Sequence, residues 1–264
     1  PDAYQPHAAL AEVLRKSSNP SAAVQEFKWL SQYHAEKGEY GEAIEQLMRV
    51  PADCREWEFS MQLIELMKSA GRVMDAQAYL KEIINEAAEK GDEDTKVKTL
   101  VELVKLNPGD MTSRNEVVEL LVKEGKHEEA ADTLMRCFQG LLALGEIDVA
   151  LDVFDQALNI CEDRYQLRQL AASLFEKNQI PELAAKQILE IAKEREEQEA
   201  NKEALDLVEE ALEKRPNDPA ALDLRFSLLQ KLDRLDEAKE YGQEVLEIHK
   251  QRGDDTRALD VCRT

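Results

Sequence analysis

A repeat of 54 residues is the sequence feature that most restricts what this chain can fold into. One column of the repeat contains only alanine, at Ala76, Ala130, Ala184 and Ala238. A second column contains glycine in three of its four copies, and its members are Gly91, Gly145, Glu199 and Gly253. Repeats of this length are typical of proteins that stack one small structural unit many times.

Apolar residues follow the same spacing as the alanines and glycines. Two of these columns are Ile83, Cys137, Ile191 and Val245, and Leu100, Phe154, Val208 and Cys262. Within each stretch the apolar columns are three or four residues apart, which is the spacing of one face of an α-helix. The N-terminal part follows the scheme at 53 residues, as in Leu10 and Leu63, so one residue is added between Val50 and Trp57.

Each period predicts three helices, separated by glycine or by segments rich in Asn, Pro and Asp that end one helix and begin the next. The long helix is predicted at about 20–37, 74–90, 127–144, 181–199 and 235–252. The middle helix is predicted at about 40–50, 93–106, 147–160 and 202–214. The third helix is predicted at about 5–16, 57–70, 110–124, 164–177 and 218–231.

The composition supports an all-α fold. Gly (10) and Pro (8) are scarce, whereas strong helix formers such as Ala, Leu, Glu and Lys are abundant. A helix of this kind cannot bury its apolar stripe alone, so neighbouring helices have to stack into a solenoid. We predict a single α-solenoid of antiparallel helices over 1–264, with about 4.5 three-helix units. The approximate units are 1–19 (partial), 20–73, 74–126, 127–180, 181–234 and 235–264 (partial).

Two segments resemble the tetratricopeptide repeat (TPR). In the first, an aromatic residue, a leucine, a Gly-x-Tyr turn and a small alanine follow the order of that family, at Phe27, Leu30, Gly38, Tyr40 and Ala43. The second has small or apolar residues, a proline and a later alanine at matching positions, namely Ala204, Val208, Ala211, Pro216 and Ala238. The resemblance implies a right-handed TPR-like α-solenoid. The period departs from the family, which has about 34 residues and two helices per repeat.

Two arrangements of the three-helix unit fit this departure from the TPR family. The helices could alternate strictly between two layers, as in a standard TPR stack. Alternatively, each unit could pack like an armadillo repeat. The first arrangement is favoured because both kinds of helix pair carry a glycine followed by an alanine.

The resemblance also implies a class of function. TPR proteins are mostly adaptors that hold peptides or partner domains in a groove, so we expect a non-catalytic scaffold that binds a partner protein or peptide. The alternative is a structural module that self-associates end to end, since solenoids usually need polar capping repeats and neither end shows one. The chain stops at Thr264, inside a predicted middle helix, and a fragment of a longer protein is therefore expected.

The charge of the chain restricts its partners. There are 55 acidic and 34 basic residues, giving a formal net charge of −21. This balance disfavours nucleic acids and anionic membrane surfaces, and it favours a basic partner. No apolar run approaches the roughly 20 residues of a transmembrane helix, so no membrane insertion is expected. The scattered cysteines are typical of a reduced, cytoplasmic protein.

No segment carries a recognisable catalytic, cofactor-binding or metal-binding motif. The sequence at 127–131 begins like a zinc-protease helix but lacks the second histidine four residues after His127. Glycine-rich phosphate loops and nucleophile elbows are missing from the sequence. We therefore expect no catalytic residue, no cofactor and no metal.

Candidate partner contacts lie on the third helices, at positions that match the peptide groove of some TPR adaptors. They are Glu58, Glu65, Asn115, Glu119, Gln169 and Asp223. Only Asn115 resembles the residues that hold a carboxylate in those adaptors, and the acidic members favour a basic or polar peptide. Trp29 and Tyr33 lie four residues apart on the first long helix, either in the core or at an interface.

Overall fold

The computed structural model describes residues 4–17 and 20–253. Within these residues there are 14 α-helices and no strand. The helices are α1 (Tyr4–Arg15), α2 (Ala23–Ala35), α3 (Tyr40–Met48), α4 (Trp57–Ser69), α5 (Val73–Lys90), α6 (Glu93–Leu106), α7 (Met111–Lys123), α8 (His127–Leu144), α9 (Ile147–Ile160), α10 (Arg164–Lys177), α11 (Pro181–Glu197), α12 (Asn201–Lys214), α13 (Pro219–Lys231) and α14 (Leu235–Arg252). Short 3-10 turns lie at Pro20–Ala22 and Ala52–Cys54.

The predicted helices are confirmed, with ends that differ by about three residues at most. The long helices are α2, α5, α8, α11 and α14, and the middle helices are α3, α6, α9 and α12. The third helices are α1, α4, α7, α10 and α13. The TPR-like, all-α solenoid class is therefore confirmed. The middle helix predicted after Gly253, with Cys262, lies outside the described residues.

Two kinds of turn contain one residue with a positive φ angle. Turns that follow a third helix use Gly71, Gly125, Gln179 and Asp233, which are spaced by 54 residues. Turns that follow a long helix use Gly38, Gly91, Gly145, Glu199 and Gly253. Their φ angles lie between 59° and 78°, where a Cβ atom crowds the backbone and glycine is favoured. The repeat keeps the turn geometry even at the three positions that lack glycine.

Three of the four turns from a middle helix to a third helix have an aspartate cap instead, and the turn before α4 has no side-chain cap. Asp110 accepts a hydrogen bond from the backbone N–H of Ser113 at 3.2 Å, and Asp218 accepts one from that of Ala220 at 3.0 Å. Such caps satisfy N–H groups that have no partner within the helix. Partial burial opposes ionisation of Asp110, but the hydrogen bonds from Ser113 and the nearby Lys81 together hold its pKa below the ordinary value.

Within residues 4–123 and within residues 124–253, helices that follow one another in sequence pack together, and some helices two apart in sequence also touch. In the second half of the chain α8 contacts α10, and α11 contacts α13. Lys214 of α12 lies 2.7 Å from Glu176 of α10. Lys231 of α13 lies 2.8 Å from Glu196 of α11. In the first half, Lys81 of α5 reaches the cap residue directly before α7 at 3.6 Å. These are the contacts of helices that alternate between two layers.

The contacts divide the chain into two compact units, Pro1–Lys123 and Glu124–Thr264. In the first unit Phe27, Phe59 and Leu63 belong to one buried apolar cluster. In the second unit the ring of Phe138 lies 5.3 Å from those of Phe154 and Phe175, and all three rings are buried. The alanine column is buried in both units, so small side chains occupy the close helix contacts. The prediction of one continuous domain stays a prediction.

We expect Glu199→Gly to stabilise the protein and Gly145→Ala to destabilise it, each by about 1 kcal/mol. Both residues hold a left-handed backbone, with φ angles of 59° and 78°. Space around Gly145 is open, so the strain of the added methyl group comes from its own backbone. Urea unfolding followed by circular dichroism measures both changes.

Gly109→Ala is the matched control, because Gly109 is a turn glycine without a positive φ angle. It should change stability less than Gly145→Ala. Destabilisation by Glu199→Gly would contradict the argument, since it would mean that the backbone entropy of glycine outweighs the strain relieved.

Candidate functional site

An open groove of about 840 Å³ lies between α2 and α4 in the first unit. We call it the α2–α4 groove. It is lined by buried Ser31 and Leu47 and by half-buried Met61 and Leu66. Exposed glutamines add a polar edge, at Gln25, Gln32 and Gln62. An apolar centre with a polar rim is typical of surfaces that bind another polypeptide.

A stack of aromatic rings holds α1 on α2, and two of its members, His7 and Trp29, line this groove. The imidazole ring of His7 on α1 stacks on the indole ring of Trp29, with centroids 3.9 Å apart. Trp29 stacks on Tyr33 at 5.6 Å, and Tyr33 packs against Tyr4 of α1 at 5.2 Å. Such pairs contribute about 0.5–1.5 kcal/mol each beyond the burial of area. The position of Trp29 in the groove therefore depends on α1.

Two histidines add hydrogen bonds at the same helix contact. Nδ1 of His7 lies 2.5 Å from Oε2 of Glu26. Nδ1 of His34 lies 2.7 Å from Oε2 of Glu39, and its Nε2 lies 3.2 Å from the hydroxyl oxygen of Tyr4. Because His7 and Glu26 both line the groove, their hydrogen bond fixes the groove wall as well as the helix contact.

The charged side chains of the groove are two carboxylates and one ammonium group, besides the imidazole of His7. Glu65 of α4 lies 2.6 Å from Lys68, and both side chains are exposed. Exposed ion pairs of this kind contribute only about 0–1 kcal/mol, so an incoming cation can replace Lys68 at little cost. Lys28 of α2 lies 5.7 Å from the centre of the Phe59 ring, within cation–π distance.

The structure places one of the six predicted partner contacts in the α2–α4 groove. Glu65 lines the groove, whereas Glu58 is exposed near the start of the same helix. Gln169 lines a smaller groove of about 210 Å³ between α10 and α12 in the second unit. There its amide nitrogen donates a hydrogen bond to the hydroxyl of Tyr165 at 2.7 Å.

The other three predicted contacts lie on helices of the opposite layer within their own units. Asn115 and Glu119 are exposed on α7, and Asp223 is half-buried on α13. The hydrogen bond from Lys123, at 2.8 Å, lowers the pKa of Glu119. Since each period has three helices and the layers alternate, successive third helices fall in opposite layers. Within each unit, the predicted contacts therefore do not share one surface.

The partner contacts predicted from the sequence do not include the side of the groove that α2 forms. The candidate residues all belong to third helices, whereas the groove joins a third helix to the long helix two places before it. A signal was present, because strict alternation of layers already places α2 beside α4. Trp29, for which the sequence allowed either a core or an interface position, is half-buried in the groove wall.

Outside the grooves, the described residues contain few groups of side chains that could bind a metal ion or take part in a reaction. A depression beside the start of α8 brings His127 and Cys161 near carboxylates such as Glu162. Nevertheless, the described residues contain no group of three or more side chains that could hold a metal ion. Cys54 and Cys161 are free thiols, Cys137 is buried, and Cys262 lies outside the described residues. In residues 4–17 and 20–253, no helix combines the length and apolarity needed to cross a membrane.

Comparison with solved structures finds similar helical-repeat proteins. One is a chain of the Naa15/Naa10 complex bound to HypK-THB, with 15% identity and a TM-score of 0.36. That match covers 85% of this chain but only 36% of the other. The TPR2AB domain of yeast Sti1 in complex with pHSP90 has 12% identity, a TM-score of 0.35 and coverages of 92% and 96%. The TPR domain of P58(IPK) has 16% identity, a TM-score of 0.27 and coverages of 98% and 89%.

These likenesses concern repeat architecture, and no property of those proteins follows for this chain. No family model matches the sequence, and no curated protein does.

We expect His7→Ala to loosen α1 from α2, because it removes the stack on Trp29 and the hydrogen bond to Glu26. Amide hydrogen exchange within α1 should become about tenfold faster, while exchange in α10 and α11 stays unchanged. Exchange read by mass spectrometry resolves the two regions. His127→Ala is the control, since that histidine is exposed at the start of α8. Equal effects of the two substitutions would contradict the assigned role of His7.

Proposed function

We propose that this chain is a non-catalytic protein-interaction scaffold that holds a segment of a partner protein in the α2–α4 groove. The observation that carries this proposal is the groove itself, with half-buried Trp29 and Met61 beside exposed glutamines. Half-buried tryptophans beside polar groups are frequent anchor points of protein interfaces. The TPR-like repeat fold supports the proposal only by analogy, since a fold does not determine a function.

The partner segment in this proposal has one apolar or aromatic anchor residue flanked by lysine or arginine. The anchor would fill the space between Trp29, Met61 and Leu66. The flanking cation would approach Glu65, whose present partner Lys68 is held only by an exposed ion pair. The net charge of −21 adds a long-range attraction for basic segments, and this attraction weakens as salt rises. A cytoplasmic location is part of the proposal, since the scattered cysteines of the sequence are typical of a reduced protein.

A phage-displayed library of random dodecapeptides tests the groove even though the partner is unidentified. Selection on the wild-type chain should enrich peptides with an apolar anchor next to Lys or Arg. Gln62→Arg places a long cation on the exposed edge of the groove, and it should weaken those peptides about tenfold while leaving the fold intact. No enrichment, or equal binding to Gln62→Arg, would refute the groove as the binding site.

Reversing one charge distinguishes attraction of a basic peptide by the groove from attraction by the net charge of the chain. Glu65→Lys should weaken the enriched peptides about tenfold and flatten the dependence of their Kd on salt. Glu119→Lys is the matched control, because Glu119 is also exposed and also paired with a lysine of its own helix, but lies on α7. Fluorescence anisotropy at low and moderate salt gives both constants. Equal losses would assign the attraction to the net charge instead of the groove.

A further inference from the structure

A pocket of about 320 Å³ lies beside the start of α4 and the C-terminal half of α5 in the first unit. We call it the α4–α5 pocket. Half-buried Trp57, buried Tyr79 and buried Ala87 belong to its apolar lining. None of its lining residues also lines the α2–α4 groove, so the two are separate sites.

The charges around this pocket favour a cation. Three exposed carboxylates line it, at Glu82, Glu86 and Asp92. Lys90 lies 3.5 Å from Glu86 in an exposed ion pair. The guanidinium of Arg55 is held by the backbone, because it donates hydrogen bonds to the carbonyl oxygens of Met48 and Val50 at 2.7 and 3.0 Å. Glu82 forms no ion pair with any of the described residues, so its carboxylate is available to a ligand.

Two periods later, the chain fills the equivalent space with a cation of its own. Tyr165 of α10 is the equivalent of Trp57, and Arg195 of α11 is the equivalent of Ala87. Cζ of Arg195 lies 4.3 Å from the centre of the Tyr165 ring, and its Nε lies 3.6 Å from a carboxylate oxygen of Glu203. This is a cation–π contact supported by an ion pair. The aromatic ring of this column therefore takes a guanidinium group where the long helix supplies one.

The first copy of the repeat also covers its ring. His34 of α2 is the equivalent of Ala87, and its Nε2 lies 3.2 Å from the hydroxyl oxygen of Tyr4, the equivalent of Trp57. Ala87 has only a methyl group, and no cation of the described residues lies over the Trp57 ring. The space beside Trp57 is thus the one that a longer side chain fills in the other two copies with an aromatic residue at this position.

We propose that the α4–α5 pocket binds an arginine side chain of a partner polypeptide. Its guanidinium stacks on the indole of Trp57, as that of Arg195 does on Tyr165, and it pairs with the carboxylate of Glu82. Arginine is favoured over lysine because a planar guanidinium stacks on aromatic rings, and indole attracts cations most strongly. The net charge of −21 attracts such a segment. The inference does not depend on the function proposed for the α2–α4 groove.

Nuclear magnetic resonance of the 15N-labelled chain tests this pocket, because the two tryptophans give two indole N–H resonances, which Trp57→Phe assigns. Titration with the acetylated and amidated peptide Gly-Gly-Arg-Gly-Gly should shift the Trp57 resonance. The Kd should be on the order of 1 mM, since a single side chain makes the contacts. The same peptide with citrulline, the neutral isostere of arginine, should leave the resonance unchanged. A shift of the Trp29 resonance reports on the α2–α4 groove instead, so the two proposals can fail separately.

Glu82→Lys should weaken binding of the arginine peptide about tenfold, because it replaces the unpaired carboxylate with a cation. Glu82 is exposed, so the substitution leaves the fold intact. Glu89→Lys is the matched control, because it changes the net charge equally at an exposed residue of α5 that does not line the pocket. Ala87→Arg should abolish the shift, since it places the chain's own guanidinium on Trp57, as in the later copy.

Binding that survives Glu89→Lys and is weakened or lost in the other two variants supports the proposal. An unmoved Trp57 resonance, an equal shift with the citrulline peptide, or equal weakening by the two charge reversals overturns it. Free arginine should bind more weakly than the peptide, because the carboxylates of the pocket repel its own carboxylate. Equal binding of free arginine would assign the pocket to the amino acid and overturn the polypeptide partner.

Discussion

The burial of each helix's apolar stripe against its neighbours is the constraint on which the rest of this structure depends. No helix here is apolar all round, and none can bury its stripe alone. The 54-residue alanine column helps the helices to approach closely, because it places one small side chain on each of α5, α8, α11 and α14, and those alanines are at most 3% exposed. Leucine at such a position would force the helices apart and leave gaps beside them.

Turn geometry obeys the same repeat more strictly than residue identity does. Gln179, Glu199 and Asp233 adopt left-handed backbone where their column neighbours have glycine. These residues accept strain because the helices on either side are fixed by packing, and the turn has to connect them. Stacking of helices therefore determines the turns, and glycine makes that geometry less costly where it is present.

Helix positions could be predicted from the sequence because their signal is local and repeated about five times. The groove could not be predicted in the same way, since it joins Trp29 of α2 to Met61 and Glu65 of α4, with the whole of α3 between them in sequence. Glu65 and Glu119 are equivalent in the repeat, but they lie on α4 and α7, which are in opposite layers of the first unit. Equivalence in sequence ensures equivalent packing partners, but with three helices per period it does not ensure the same layer.

This mismatch between an odd helix count and two layers has a consequence for how such a chain can change in length. The surface pattern of one layer recurs only after two sequence periods, which is 2 × 54 = 108 residues and six helices. Inserting one period within a unit would exchange the layers of the helices that follow it in that unit. A binding surface on those helices would then face the opposite side. Inserting two would restore every surface. Whether the number of inserted periods is even or odd therefore decides whether the binding surfaces of this repeat are conserved when the array grows.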